Sequence, residues 1–454
     1  MDDIYNTWKK SLKLTQRRRT YSHLDSSLDL DNKKHFKHVR KNLSEIVKHE
    51  FLPFIKFVKK EIRYRKDKNG KLIRSRKERP IMYSSHLDAH IYSFYNYLWS
   101  NKYEDFLKKE KLEPNTIAYR KIIEEGDNEE KGKNNIDFAK ELFDQIKTVG
   151  TCSVIIADIS KFFDSLNHKV LKDNLTFLVG EKLKDSEYRV LRSVCTYRYI
   201  LNDSQRENKR RKRRIKKASE YGKFLKEVQK RMRRGGESLS KVVYELGGGK
   251  LIKENRTTVG IPQGSCVSGL LANIYMIFFD KNVVRNFPGI FYRRYSDDIA
   301  IICSIEKTKE VISFLYNEIT RCSLEINSSK VFIAKFERVG DDSVVCKEVI
   351  NGDGKVVNRK FIDYLGFEYS GDEVKVRSTT LKKAYRKADK KIKLFKLRQT
   401  GLNPRKKLSV EDLLKKATFK NTYLKKANRV MRNIAKGVDS QQKKLSKFIR
   451  KNKK

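Results

Sequence analysis

Two adjacent carboxylates, Asp297-Asp298, follow Tyr295-Ser296 and sit between Phe291-Tyr292 and the apolar run Ile299-Ala300-Ile301-Ile302. Strand-like runs on either side of a polar turn predict a β-hairpin whose tip, residues 295–298, holds both acids at one end of a sheet, where a hard divalent cation could bind. Asp341-Asp342 follows Gly340 with little apolar sequence before it, and it reads as a loop. Phosphoryl transfer between two cations roughly 3.5–4 Å apart needs carboxylates from more than one strand. Val154-Ile155-Ile156-Ala157-Asp158-Ile159 offers another: a buried-strand pattern ending in an acid, then a turn leading into a helix over Ser160 to Leu166. Taken alone, Asp158 would serve equally well as a helix cap.

The surrounding elements must bring these acids together. A charged loop, Gly126 to Asn135, precedes a helix from Ile136 to about Ile146 that delivers the chain to the Asp158 strand. Between Asp158 and the hairpin lies a basic helical insertion, roughly Asn202 to Lys250, ending in Gly247-Gly248-Gly249. Its run Lys209-Arg210-Arg211-Lys212-Arg213-Arg214 must meet phosphates or acids, or stay in water, so the insertion is expected to remain outside any apolar core. After Gly371 the pattern is helical, with Leu381, Ala384, Tyr385, Ala388, Ile392 and Phe395 on one face and Lys and Arg, including Lys382, Lys383 and Arg386, on the other. A second helical set, Leu413, Leu414, Ala417, Tyr423, Leu424, Ala427, Val430, Met431 and Ile434, follows the break at Gly401 to Pro404. Residues 1–50 read as a basic helical extension.

A formal net charge of +48 exceeds what solubility requires and points to a polyanionic partner bound in a salt-dependent way. The positive charge gathers in Lys9 to Lys48, in Arg206 to Arg234 and beyond Thr380. A length of 454 residues, 38% of them hydrophobic, admits more than one domain. Six cysteines without a Cys-x-x-Cys pair read as reduced, cytoplasmic thiols. Met1 to Tyr5 has no signal-peptide character, and the longest apolar stretch, Gly269 to Phe279, is too short to span a bilayer.

Several ordered motifs resemble the reverse transcriptases, specifically the bacterial, non-viral enzymes related to retron, group II intron and defence-associated kinds. Ala157 to Asp164 resembles the block with the first catalytic Asp, Gly260-Ile261-Pro262-Gln263-Gly264-Ser265 the nucleotide-pocket block, and Tyr295 to Asp298 the polymerase signature. Leu324 to Lys330 and Tyr364-Leu365-Gly366-Phe367 resemble the blocks that follow, while Arg79-Pro80-Ile81 and Ala118-Tyr119-Arg120 fit the two finger blocks less tightly. The resemblance spans roughly residues 75 to 370.

It implies an α+β right-hand polymerase, with fingers and palm over residues 51–371, an antiparallel palm sheet, and a basic α-helical thumb over 372–454. Asp158, Asp297 and Asp298 would be catalytic, and Asp158, Ile159, Asp297 and Asp298 would be the metal positions for two Mg2+ ions, with Mn2+ as an alternative. Nucleotide contacts would fall to Arg120, Phe163, Gln263, Gly264 and Lys330. Of the neighbouring rings Phe162 and Phe163, one would be core and the other the gate against a 2′-hydroxyl, and the resemblance assigns Phe163 as the gate. The Gly260 to Gly264 glycines would let backbone approach the nucleotide. Residues 209–214 with Lys382, Lys383 and Arg386 would bind nucleic acid.

The implied function is RNA-directed DNA synthesis from deoxynucleoside triphosphates in antiphage defence, using a dedicated non-coding RNA and leaving a DNA product. No membrane partner is expected, and homo-oligomerisation stays open. The defence-associated group is preferred because Asn115 to Arg120 and Asn134 to Ala139 resemble it. Acids after residue 380 show no RNase H spacing. The alternatives are a retron-type enzyme, template-independent or protein-primed synthesis by the same site, and an RNA-binding scaffold without chemistry; Asp158, Asp297, Asp298 and Gln263 are all present, against the last.

Overall fold

Apolar runs broken by glycines and polar pairs form the strands of the computed structural model, which describes residues 2–66, 72–123, 132–202, 219–340, 343–399, 426–427, 429–431 and 436–451. The strands are β1 (Phe54–Lys66), β2 (Leu72–Tyr83), β3 (Cys152–Asp158), β4 (Arg198–Leu201), β5 (Ile252–Glu254), β6 (Phe291–Tyr295), β7 (Asp298–Cys303), β8 (Phe332–Arg338), β9 (Val344–Asn351), β10 (Ile362–Tyr364), β11 (Phe367–Tyr369) and β12 (Val374–Val376). With the helices around them they make an α+β fold, divided into two units. One comprises Met1–Glu113, Lys161–Lys281 and Cys322–Leu324; the other comprises Pro114–Ser160, Asn282–Arg321 and Glu325–Lys454.

The second unit is built on an antiparallel five-stranded sheet of order β6-β7-β3-β8-β9. Its central strand, β3, is buried through its first six residues, which explains an unbroken apolar run where a half-exposed strand would alternate. The Asn135–Val149 helix covers this sheet with Ile136, Ala139, Leu142, Phe143 and Ile146, packed on Val154, Ile156 and Phe336. Each such fully buried aliphatic or aromatic side chain contributes about 1.5–3 kcal/mol. Asn134 caps this helix from Ile136 N, and Asp137 reciprocates at the Asn134 N–H, a capping box. Strands β10–β12 form an antiparallel sheet on the same core, where the Tyr369 ring stacks between Phe143 at 4.6 Å and Phe336 at 5.8 Å.

The basic helices beyond Gly371 share that core. Ala384, Met431 and Val438 are buried in it, and the Gln441 side-chain amide bonds both the N–H and the carbonyl of Val376, extending the β12 edge. On the Ser378–Gln399 helix Ala384 and Ala388 face inward, whereas Lys382, Lys383 and Arg386 are exposed. Of the expected second helical set, Ala427, Val430 and Met431 are described; Leu413, Leu414, Ala417, Tyr423, Leu424 and Ile434 lie outside the described residues, as do Lys209 to Arg214, Asp341-Asp342 and most of the expected Gly126 to Asn135 loop.

The first unit carries a sheet of order β2-β1-β4-β5, with β1 and β4 parallel and the other pairs antiparallel. The His86–Lys109 helix, capped by Ser85, is buried around most of its circumference by Tyr92, Phe94, Tyr95, Trp99 and Tyr103. Helices Asp2–Ser11 and Lys33–Ser44 contribute buried Trp8, Val39 and Leu43, and the Trp8 indole N–H donates to Ser93 Oγ at 3.3 Å.

The basic insertion departs from expectation. Two helices, Glu220–Arg234 and Leu239–Gly247, bury Tyr221, Phe224, Val228, Val242 and Val243 in one cluster with Ile55 and Ile200. Apolar residues at three- and four-residue steps make a core-facing stripe even in a helix whose other positions are Lys and Arg. No helix among the described residues is long and apolar enough to cross a membrane, and all six cysteines are free thiols.

Candidate active site

The β3–β7 register sets the acids. Val154 lies opposite Ile302, Ile156 opposite Ala300 and Asp158 opposite Asp298. Direct antiparallel partners point to the same face with Cβ atoms about 4.5–5.5 Å apart, so these two carboxylates meet where both apolar runs stop. Tyr295 pairs with Asp298, leaving a two-residue loop of Ser296 and Asp297; Ser296 takes φ 62°, the left-handed value such tight hairpins require. The loop closes on β3 through the Ile159 N–H, which donates to the Asp297 carbonyl at 3.0 Å. From the other side, Asn327 N–H donates to the Asp158 carbonyl at 2.8 Å and Ser160 N–H to that of Glu325 at 2.8 Å. Ile159 is buried and its N–H is taken, so the oxygen it can offer a metal is its carbonyl.

Burial raises the Asp298 carboxyl to about 7, with the charges of Asp297 and Asp158 adding to it and Lys330 and Arg377 opposing it. Asp297 is also raised, first by burial and then by Asp158. The three carboxyls thus disfavour one another's ionisation at this end of the sheet. Lys330 gives part of the compensation, its ammonium hydrogen-bonded to Asp158 Oδ1. No three His, Cys, Asp or Glu side chains among the described residues are gathered into a set that could hold a metal ion by themselves, so a cation at these all-oxygen donors would need phosphate oxygens or water to complete its shell.

Other expected site residues fall in two places. Arg120 belongs to the same unit as the acids, but its Nη1 donates to the Thr116 carbonyl at 2.6 Å. Phe163, Gln263 and Gly264 lie in the first unit and are tied together. Ile261 N–H donates to the Phe163 carbonyl at 2.9 Å, and Met82 N–H to that of Gln263 at 2.8 Å. Phe162 is buried and Phe163 half-buried. The glycines also have a structural duty. A Cβ on Gly264 (φ 117°) would stand 2.6 Å from the Met82 carbonyl oxygen, and one on Gly260 (φ 88°) 2.9 Å from that of Asp164, so they admit neighbouring backbone of the chain itself.

Sequence reasoning missed two supports of the hairpin and one cation that acts on its carboxylate. Arg294 is fully buried; its N–H donates to the Asn115 carbonyl at 2.7 Å and its Nη1 to that of Ser296 at 3.2 Å, clamping the turn. Tyr119, itself at φ 59°, brings its hydroxyl within 3.3 Å of Ser296 Oγ. Arg377 binds Asp363 and adds positive potential at Asp298. Nothing in the sequence marks a lone Arg in a strand as buried.

Comparison with protein families matches residues 223–369 to the model described as reverse transcriptase (RNA-dependent DNA polymerase), a span that includes Gln263, Asp297, Asp298 and Lys330 but begins after Asp158 and Phe163. Comparison with curated proteins gives no match. Among solved structures, telomerase from Candida albicans in complex with the TWJ fragment of telomeric RNA is similar at 13% identity and a TM-score of 0.40, covering 92% of this chain and 65% of that one. Apo telomerase from Candida tropicalis is similar at 13% identity and a TM-score of 0.37, over 78% of this chain and 54% of that one. The chain thus spans less than two thirds of the length of these structures. The matched span includes the carboxylate hairpin and the Gln263 turn, and over these residues the chain matches the reverse transcriptase family.

Proposed function

We propose that this chain extends a DNA strand on an RNA template, adding deoxynucleotides to a primer 3′ end. The observation that carries this reading is the convergence of Asp158 and Asp298 as direct strand partners, with Asp297 hydrogen-bonded through its carbonyl to Ile159. The primer 3′-oxygen attacks the α-phosphorus of the triphosphate, its proton is lost, and the bond to the β-phosphate breaks to release pyrophosphate. Two divalent ions, magnesium by the all-oxygen donor set, would be held by Asp158, Asp297, Asp298 and the Ile159 carbonyl and would acidify the hydroxyl and neutralise the leaving group. Lys330 is poised to exchange Asp158 for a substrate phosphate. Phe163 is the ring assigned to exclude a 2′-hydroxyl, since Phe162 is committed to the core. Gln263 is assigned to hydrogen-bond the nucleotide.

We further propose that the template is a dedicated RNA that stays with the protein and that the product serves antiphage defence. The charge of +48 supports a resident polyanion, and the free thiols suit a reducing compartment. The defence assignment rests on the Asn115 to Arg120 and Asn134 to Ala139 blocks; Asn134 and Asp137 also have a local duty as helix cap. Sequencing the RNA and DNA that co-purify with the protein tests the reading. A defined RNA with complementary DNA supports it, whereas homopolymeric or simple-repeat DNA would transfer the site to template-free synthesis.

A further inference from the structure

A cleft of about 400 Å³ opens in the first unit between the start of β1, the Asp185–Cys195 helix and the β4 strand. That volume lies within the range of about 300–1,000 Å³ common to small-ligand sites, and no residue assigned to the polymerase reaction lines it. Its floor is a rigid aromatic column: Phe51 stacks on Tyr92 at 5.4 Å and Phe54 on the same ring at 5.9 Å, both nearly coplanar at 15°. Tyr244 closes one side, its hydroxyl donating to the Phe51 carbonyl at 2.6 Å.

Three guanidinium groups border this floor. Arg189 and Arg192 stand three residues apart on one helix, so they share a face, and Arg198 begins β4. Arg189 is oriented by donating through Nη2 to the His49 carbonyl at 2.6 Å, which leaves its buried Nε with no partner among the described residues. Its guanidinium lies 5.9 Å from the Phe51 ring centre, and that of Arg198 lies 5.1 Å from Tyr244. Of the two acids of the rim, one is engaged outside the cleft and the other compensates Arg198, leaving Arg189 and Arg192. Glu50 accepts from Ser240 Oγ, and Glu254 pairs with Arg198 at 3.5 Å. Among the described residues, neither Arg189 nor Arg192 has a carboxylate partner.

Uncompensated guanidiniums call for an anion with several acceptor oxygens, and flat rings with a guanidinium plane beside them call for a planar heterocycle to stack. An acidic peptide would use the first feature and leave the second idle. We infer that this cleft binds one nucleotide unit, its phosphate on Arg189 and Arg192 and its base against Phe51, Tyr244 and Arg198. The nucleotide comes either from an RNA strand or from the free nucleoside triphosphate pool, and the chemistry of recognition is shared.

Ultraviolet crosslinking of the full chain, followed by peptide mapping, tests this with two probes: a ten-nucleotide oligouridine RNA and UTP. The expected adducts fall on the peptides containing Phe51 or Tyr244. Arg192→Glu, at an exposed position, should lower their yield by about tenfold or more while adducts elsewhere persist, because one charge-assisted contact becomes a repulsion. Arg189→Lys, which keeps the charge and loses the fork, should lower the yield less. Adducts with the RNA alone identify a strand site, and adducts with UTP identify a free-nucleotide site. Absence of adducts at both peptides with both probes, or a yield indifferent to Arg192→Glu, overturns the inference. The adducts should survive Asp297→Asn, so the cleft and the polymerase reading stand or fall separately.

Discussion

Replacing Asp298 by Asn should make the protein more stable at pH 8 and leave it unchanged near pH 4. The folded carboxyl titrates at about 7 instead of 3.8, because it is buried and faces Asp297 and Asp158. Between those values the native chain holds a proton that the unfolded chain has released. Stability is therefore greatest below the unfolded value and declines as pH rises through about 7. A displacement of that size sets a ceiling of ~4 kcal/mol. Solvent access at the strand end and sharing of charge among three acids reduce the expectation to ~1–2 kcal/mol. Urea denaturation between pH 4 and 8, with divalent ions chelated, reads the difference directly. Added magnesium should then stabilise the wild-type protein and close the gap, since a ligand that binds only the native state adds to its stability. A gap that widens toward acid pH, or that is missing at pH 8, would refute the electrostatic description of the site.

Arg294→Met should cost about 2–4 kcal/mol by removing the clamp on Ser296, measured by the same denaturation; equal stability would mean that the hairpin holds itself. Phe163→Val should admit ribonucleotides, with the preference for deoxynucleotides reduced about tenfold or more in competition assays, and an unchanged preference would show that the gate is another residue. Neutralising Lys209 to Arg214 should lower the slope of log affinity against log salt for single-stranded RNA by about 0.7 for each phosphate that is no longer neutralised; an unchanged slope would remove that run from the RNA interface.

The carboxylate hairpin was legible because its flanking residues are apolar on both sheet faces, so Ile299 to Ile302 and Val154 to Ala157 announce central strands and leave Asp298 and Asp158 at their ends. The Tyr364 to Phe367 block was found by resemblance and forms the β10–β11 hairpin, and the helix expected from Ile136 to about Ile146 is present, started by a capping box that the structure reveals. What escaped depended on distant partners. The buried Arg294 donates its guanidinium to the Ser296 carbonyl and its backbone N–H to that of Asn115, and Lys330 reaches Asp158 across a sequence separation of 172. The helices at 220–247 were expected, but their burial was obscured by composition: abundant Lys and Arg hide the stripe of Tyr221, Phe224 and Val228, whose meaning depends on Ile55 and Ile200 across the cluster. The glycines of 260–264 also admit the backbone of Asp164 and Met82, distant partners that no local pattern names.

Primer extension on a defined RNA template, comparing the wild-type chain with Asp297→Asn at matched RNA occupancy, addresses the central claim most directly. Loss of deoxynucleotide incorporation to background with RNA affinity retained is the expected result. Incorporation by the Asn variant at the wild-type rate would contradict it, because the carboxylates at the ends of β3 and β7 would then have no part in the chemistry.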